Sequence, residues 1–453
     1  MTPSGSTIPS TLRHPSAARF WTAVLGIGAG AGLAAAGLTK LLEAVQAFAW
    51  RGSGTNILRS AESVSAWHCV LVLCIAGAVT GAGQIILRRL SSANGIDTTA
   101  AIWFYAGRMP AVRTLGSAVL SILVVGLGAS LGREGAPKQA GAVFANWFSD
   151  WTELSDEQRR LLVACGAGAG MAAAYGVPLG GALFALEVLR GALALRYILP
   201  ALFCSGVAAA VAWTVLPDQP TYHFPAYTAS AGALVVCAVC GILAGLFSVG
   251  YVRLVTRAER NKPKGWWRIV APVIGLTILG VTATRFPQLL GNGRDISQLL
   301  FTGIPAVTLA LPLLFLKPAA ILTCVGTGVP GGLFTPSLTC GALLGTVIAY
   351  AASALVPGIP HGLIAFVGAS GVLAATTQGP ISTVVLLMEM TGQDRTVILP
   401  MLIGVFFATL IARSIEPRSI YDARLTDEEI AKRQQSRDKV QVGPEQTQPL
   451  ESN

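Results

Sequence analysis

The chain has 453 residues and a formal net charge of +10, yet only 12% of its residues are charged, 53% are hydrophobic, and the mean hydropathy is +0.62. A soluble globular domain carries about 25% charged residues, so this composition excludes one and indicates a polytopic membrane protein. Nucleic acid is excluded as a partner as well. The basic residues form no stripe; they gather at the ends of apolar runs, as Arg13 and Arg19, Arg88 and Arg89, the cluster from Arg253 to Arg268, and Arg413 and Arg418. That is the pattern of cytoplasmic membrane flanks.

In chain order, residues 1–16 are polar and rich in Ser, Thr and Pro, and are expected to form a disordered cytoplasmic tail. Residues 17–49 read as a long tilted helix. Lys40 and Glu43 stand where a signal peptide would need small cleavable residues, so this run is a retained first span. Residues 51–65 read as a polar loop and 66–90 as the return helix. The stretch S-S-A-N-G-I-D-T-T at 91–99 is a break, with Asp97 placed to cap a short helix. Apolar runs follow at 161–189, 197–216, 229–255, 269–282, 341–356 and 397–411, several near the roughly 20 residues that span a bilayer. Both tails are hydrophilic and are expected in the cytoplasm, which requires an even number of crossings. All eight cysteines lie in or beside apolar segments and the four histidines are scattered, so no metal or cofactor motif is present.

The stretch 126–143, G-L-G-A-S-L-G-R-E-G-A-P-K-Q-A-G-A-V, interrupts two apolar runs with Arg133 and Glu134 between Gly132 and Gly135. Charges at that depth are expensive and by default functional. The expected form is a broken helix whose N-terminus points inward at a small ligand with Glu134 at its tip. The alternative is a carboxylate that only complements a helix dipole near the membrane surface.

Two later stretches repeat. Residues 166–187 and 368–389 align without gaps at Gly166/Gly368, Ala167/Ala369, Ala172/Ala374, Ala173/Ala375, Pro178/Pro380 and Glu187/Glu389, and an I-L-P follows each, at 198–200 and 398–400. An internal repeat in a membrane protein points to two halves whose broken helices meet near the midplane. The partner of the Glu134 break then falls near residue 332, where G-V-P-G-G-L-F-T-P occupies 328–336. Two helix N-termini are thus expected to face one small anion, binding it through N–H groups, weakly enough for release.

These residues resemble the CLC family of chloride channels and chloride–proton antiporters over roughly residues 20–425. G-R-E-G at 132–135 is similar to the family's G-R-E-G-P, G-L-F-T-P at 332–336 to its G-[IVL]-F-x-P, and L-E at 186–187, M-E-M-T at 388–391 and Tyr421 also fit. The resemblance implies an all-α fold of two pseudo-symmetric inverted halves, about 17–216 and 227–421, within a membrane domain of 17–421. It is followed by a charged cytoplasmic tail, 422–453, with no regulatory domain. It implies a homodimer with one pore per subunit. It makes Glu134 the gating glutamate, and places an anion between the N–H groups of Gly135, Leu333 and Phe334, the Tyr421 hydroxyl, and the first break at Asn94 and Gly95. Alternatives stand beside these roles: Tyr421 as an interfacial anchor, Phe334 as packing, and Glu187 and Glu389 as structural groups at helix ends rather than proton carriers.

Three departures bear on the ion and its coupling. The first break reads A-N-G-I-D at 93–97, so Asn94 stands for the family's serine and Asp97 for its proline. The proline of G-R-E-G-P is displaced to Pro137 and followed by Lys138. The antiporters' inner proton-transfer glutamate is replaced by Val188, as in the family's channels and in its fluoride–proton branch. That leaves Glu134 and Glu187 as the carboxylates of a proton path. The expected function is anion transport, chloride by default, in a bacterial-type inner membrane; the alternatives are a fluoride–proton antiporter and an uncoupled chloride channel. An enzyme would need convergent nucleophile, base or metal ligands, and the sequence offers none.

Overall fold

Glycine and proline set where this chain's apolar runs start and stop. In the computed structural model, which describes residues 17–52, 56–91, 96–392, 396–423 and 425–442, the runs form helices only. In order these are α1 (Ala17–Trp50), α2 (Ile57–Glu62), α3 (Ala66–Leu90), α4 (Thr98–Phe104), α5 (Ala111–Gly126), α6 (Gly135–Trp151), α7 (Asp156–Tyr175) and α8 (Pro178–Phe184), continued by a π-helical turn at Ala185–Arg190. Then come α9 (Leu195–Ala212), α10 (Ala231–Arg260), α11 (Trp267–Ala283), α12 (Arg294–Phe301), α13 (Val307–Thr327), α14 (Phe334–Ala352), α15 (His361–Thr377), α16 (Pro380–Thr391), α17 (Ile398–Ile415) and α18 (Asp427–Val442). Among the described residues, seven helices are long and apolar enough to cross a membrane.

Helix α3 starts and ends where its pattern predicts, and α1 runs one residue past it. The expected loop 51–65 differs, because it contains α2. Asn56 caps that helix by accepting from Arg59 N at 3.0 Å, and the Asp295 carboxylate accepts from Leu58 N at 3.2 Å, which pins the turn to a distant part of the chain. The run 161–189 is not one helix either. Gly176 takes a left-handed φ of 68° at the end of α7, and Pro178 opens α8, where its missing N–H costs nothing.

The repeat is visible as packing. Helix α6 lies on α7 as α14 lies on α15, and in each pair two glycines meet. A Cβ at Gly141 would overlap the Gly166 carbonyl, and one at Gly341 would overlap the Gly368 carbonyl, so both crossings depend on bare backbone. The two repeat glutamates exchange partners between the halves. Glu187 accepts from Ile381 N at 3.2 Å and Ser382 N at 2.6 Å, at the start of α16. Glu389 accepts from Leu179 N at 3.0 Å and Gly180 N at 2.6 Å, at the start of α8. Each carboxylate thus satisfies helix N-terminal donors that hydrocarbon cannot.

Candidate functional site

The break between α5 and α6 is held from both sides. Trp50 Nε1 donates to Gly126 O at 3.2 Å, closing the end of α5. Gly132 N donates to Gly332 O at 2.7 Å and Gly332 N donates back to Gly132 O at 2.8 Å, an isolated antiparallel bridge between the two breaks. Their offset, 332 minus 132, is 200 residues, close to the 202 of the repeat (368 minus 166). Side chains are excluded here for a reason: a Cβ on either glycine would overlap the Glu134 carboxylate.

Glu134 is the N-cap residue of α6 and is only 4% exposed. Its Oε1 accepts from Phe334 N at 2.6 Å, the first residue of α14. Its Oε2 accepts from the Tyr175 hydroxyl at 3.3 Å and from Thr335 Oγ1 at 3.4 Å, and those two hydroxyls lie 2.8 Å apart. The carboxylate therefore sits inside the protein, at the N-terminus of the facing half's helix and away from the lipid surface. A carboxylate held this way fills a seat suited to any small anion: donors of opposite polarity, aligned with a helix dipole, in a dry site. Protonating it would remove the charge that holds it there.

The two residues flanking Glu134 face different cavities. Arg133 borders one together with Asn292, Arg294 and Asp295, and its guanidinium lies 5.1 Å from the Tyr175 ring centroid. Gly135 borders the other with Asp97, Lys138, Leu333 and Tyr421. An aromatic series links the two sides: Tyr175 to Phe334 at 6.4 Å, Phe334 to Phe184 at 6.4 Å and Phe184 to Tyr421 at 5.6 Å.

The structure thus brings Gly135, Leu333 and Tyr421 to one cavity and sets Glu134 on the Phe334 N–H beside it. Asn94 and Gly95 lie outside the described residues. Asp97 is the N-cap of α4, its carboxylate accepting from Thr99 N at 2.8 Å. Glu187 is engaged at the start of α16 rather than beside Glu134. Among the described residues, no group of three or more His, Cys, Asp or Glu is placed to hold a metal ion. Sequence reasoning did not single out Tyr175 or Thr335, which bind Glu134, nor Arg433. The last is buried, pairs with Asp422, donates to Val188 O at 2.8 Å and lies 5.4 Å over the Trp103 ring.

The chain matches the sequence model of the family described as voltage gated chloride channel over residues 82–413. It is 30% identical over 412 residues to chloride channel protein CLC-f of Arabidopsis thaliana, covering 83% of this chain and 51% of that protein. It is 33% identical over 331 residues to the voltage-gated ClC-type chloride channel ClcB of Shigella flexneri, covering 70% of this chain and 76% of that protein. The matched region is therefore about half of the plant relative. Among solved structures, the fold resembles a slow cyanobacterial Cl⁻/H⁺ antiporter with TM-score 0.78 at 21% identity, over 94% of this chain and 99% of that one. It also resembles a CLC-type fluoride/proton antiporter with TM-score 0.72 at 22% identity, over 90% and 98% respectively.

Proposed function

Because the chain belongs to the CLC family of anion channels and transporters, which are not enzymes, we propose that it moves chloride across a membrane along the path gated by Glu134. One contact carries this reading: the Glu134 carboxylate accepts from Phe334 N at 2.6 Å. A side chain that occupies an anion seat competes with the anion, and it leaves when protonated. Gly135, Leu333, Phe334 and Tyr421 then receive the anion. The protein works as a homodimer, each subunit with its own pore.

The cavity bordered by Tyr421 also touches Glu259, at the end of α10 where the basic cluster lies. By the excess of basic residues on cytoplasmic flanks, that cavity opens inward, both termini are cytoplasmic, and the Arg133 cavity opens outward.

A second reading is fluoride–proton exchange. Val188, where a proton-transfer glutamate would stand in a chloride antiporter, and Asn94 in the first break both favour it. Val188 alone equally fits an uncoupled chloride channel. Purified protein in liposomes separates these, with chloride and fluoride efflux followed beside external pH. Chloride efflux is expected, and Glu134→Gln should keep the flux and lose its pH response. Normal proton coupling in Glu134→Gln would remove Glu134 from the gate. Fluoride efflux without chloride efflux would select the second reading, and chloride efflux with no proton movement would select the channel. If protons do move, their loss in Glu187→Gln would place Glu187 on their route; unchanged movement would leave Glu187 a purely structural cap.

A further inference from the structure

The exposed stripe of α10 changes character along its length. At helical spacing it is apolar through Val235, Val239, Ile242 and Leu246, passes Gly250, and becomes basic at Arg253, Arg257 and Arg260. Helix α17 ends beside it, where Arg253 donates to Ile415 O at 3.5 Å. Both helices are long and apolar enough to cross a membrane. Between their ends lies a cavity of about 280 Å³, bordered by Arg253, Arg257, Arg260, Glu416 and Arg418.

The charges around this cavity do not cancel. Glu416 is buried and accepts from Arg253 Nε at 2.8 Å, with Arg418 Nε 3.2 Å away. Asp427, at the start of α18, pairs with Arg260 at 2.7 Å and Arg418 at 3.2 Å. The other acids nearby are engaged elsewhere: Glu259 with Lys262 on the Tyr421 cavity, Glu428 with Lys432, and Glu429 with Thr426 N. Arg257 is exposed and has no ion-pair partner among the described residues. Four arginines thus meet two carboxylates, and the C-termini of α10 and α17 add roughly half a negative charge each, which leaves about one positive charge at Arg257.

We propose that this cavity seats the phosphate of an anionic membrane lipid, whose acyl chains lie along the apolar part of the α10 stripe. A phosphodiester carries the single negative charge that the site lacks, and the arginine fork meets two of its oxygens at once. Basic clusters where a span leaves the bilayer attract such headgroups. A free phosphate would fill the same seat but gain nothing from Val239 or Leu246. The inference needs only that α10 and α17 cross the membrane, so it stands or falls apart from the transport reading.

Native mass spectrometry of the full chain in detergent, titrated with phosphatidylglycerol, phosphatidylcholine or inorganic phosphate and followed by thermal unfolding, tests this. Phosphatidylglycerol should bind and raise the unfolding midpoint most. Phosphatidylcholine, whose choline cancels the phosphate charge, and inorganic phosphate should do so less. Arg257→Gln breaks no ion pair and should weaken phosphatidylglycerol binding about fivefold. Lys264→Gln removes the same charge from an exposed position outside the cavity and should change it less than about twofold. Equal weakening in the two variants overturns the seat, because it means diffuse attraction by the basic loop. Unchanged binding in Arg257→Gln overturns it as well. A midpoint raised equally by inorganic phosphate overturns the lipid and makes the ligand a soluble phosphate.

Discussion

The break before α6 and the break before α14 meet at one pair of glycines and carry different side chains beyond it. Gly132 and Gly332 exchange hydrogen bonds across the local two-fold relation. Two residues further on, the first half has Glu134 and the second has Phe334. One half therefore contributes a carboxylate and the other the N–H that donates to it. On the transport reading proposed above, Glu134 is a competitor for an anion at the Phe334 N–H, and only the first half supplies it.

The sharpest way to break that comparison is to fill the glycine crossings. Gly141→Val places atoms against the Gly166 carbonyl and the Ala31 side chain; Gly341→Val does so against the Gly368 carbonyl and Val372. Neither carbonyl can retreat without moving a helix, so each variant should lose about 3 kcal/mol or more, read as a lower unfolding midpoint and a smaller monodisperse yield in detergent. A large loss at one site and none at the other would show that the two crossings are not equivalent.

What the sequence made legible follows from which residues leave local marks. Glycine, proline and glutamate at a fixed spacing outlined the repeat, both breaks and the pairing of Glu187 with Glu389. The capping by Asp97 could be read because its partner, Thr99, is two residues away. Tyr175 and Thr335 could not be read, because their meeting with Glu134 requires segments far apart in the chain to converge. Tyr175 had a faint signal, as a lone aromatic at the end of a Gly/Ala run just before the Gly176 break. Helix α2 has one local mark, the Asn56 cap, and is six residues long; its other hold, Asp295, lies 237 residues away. Run length also proved a poor guide to helix number, since Pro178 divides the run 161–189.

The exchanged glutamates give a finer test. Glu187 is buried and Glu389 is partly exposed. Replacing either by Gln leaves one acceptor oxygen for two N–H donors and removes charge assistance. Glu187→Gln should cost about 2 kcal/mol and Glu389→Gln about 1 kcal/mol, measured as separate shifts in thermal unfolding. The two caps take different N–H donors, Ile381 and Ser382 against Leu179 and Gly180, so the double variant should show about the sum. Equal costs would mean that burial does not distinguish the two sites.

The smallest expected effect lies where the halves stop matching. In the first half α8 runs into a π-helical turn at Ala185–Arg190, while α16 stays α-helical through Thr391. The corresponding carbonyls are closed differently. Met390 O accepts from Tyr222 N at 2.9 Å, within the segment that joins the halves. Val188 O accepts from Arg433, carried by α18. The tail is thus tied to the first half at Val188 through Arg433, and to α10 of the second half through the Asp427–Arg260 pair. Arg433→Lys keeps a positive charge beside Asp422 and releases the bond to Val188 O. One neutral acceptor is lost and no buried charge is left alone, so the global cost should stay at about 0.5–1 kcal/mol, and the change should be local. Hydrogen exchange across residues 427–433 should rise about tenfold while α16 and α17 keep their protection. Faster exchange in α16 as well would mean that the Arg433 tie also braces α16, and the contrast between Val188 and Met390 would lose its meaning.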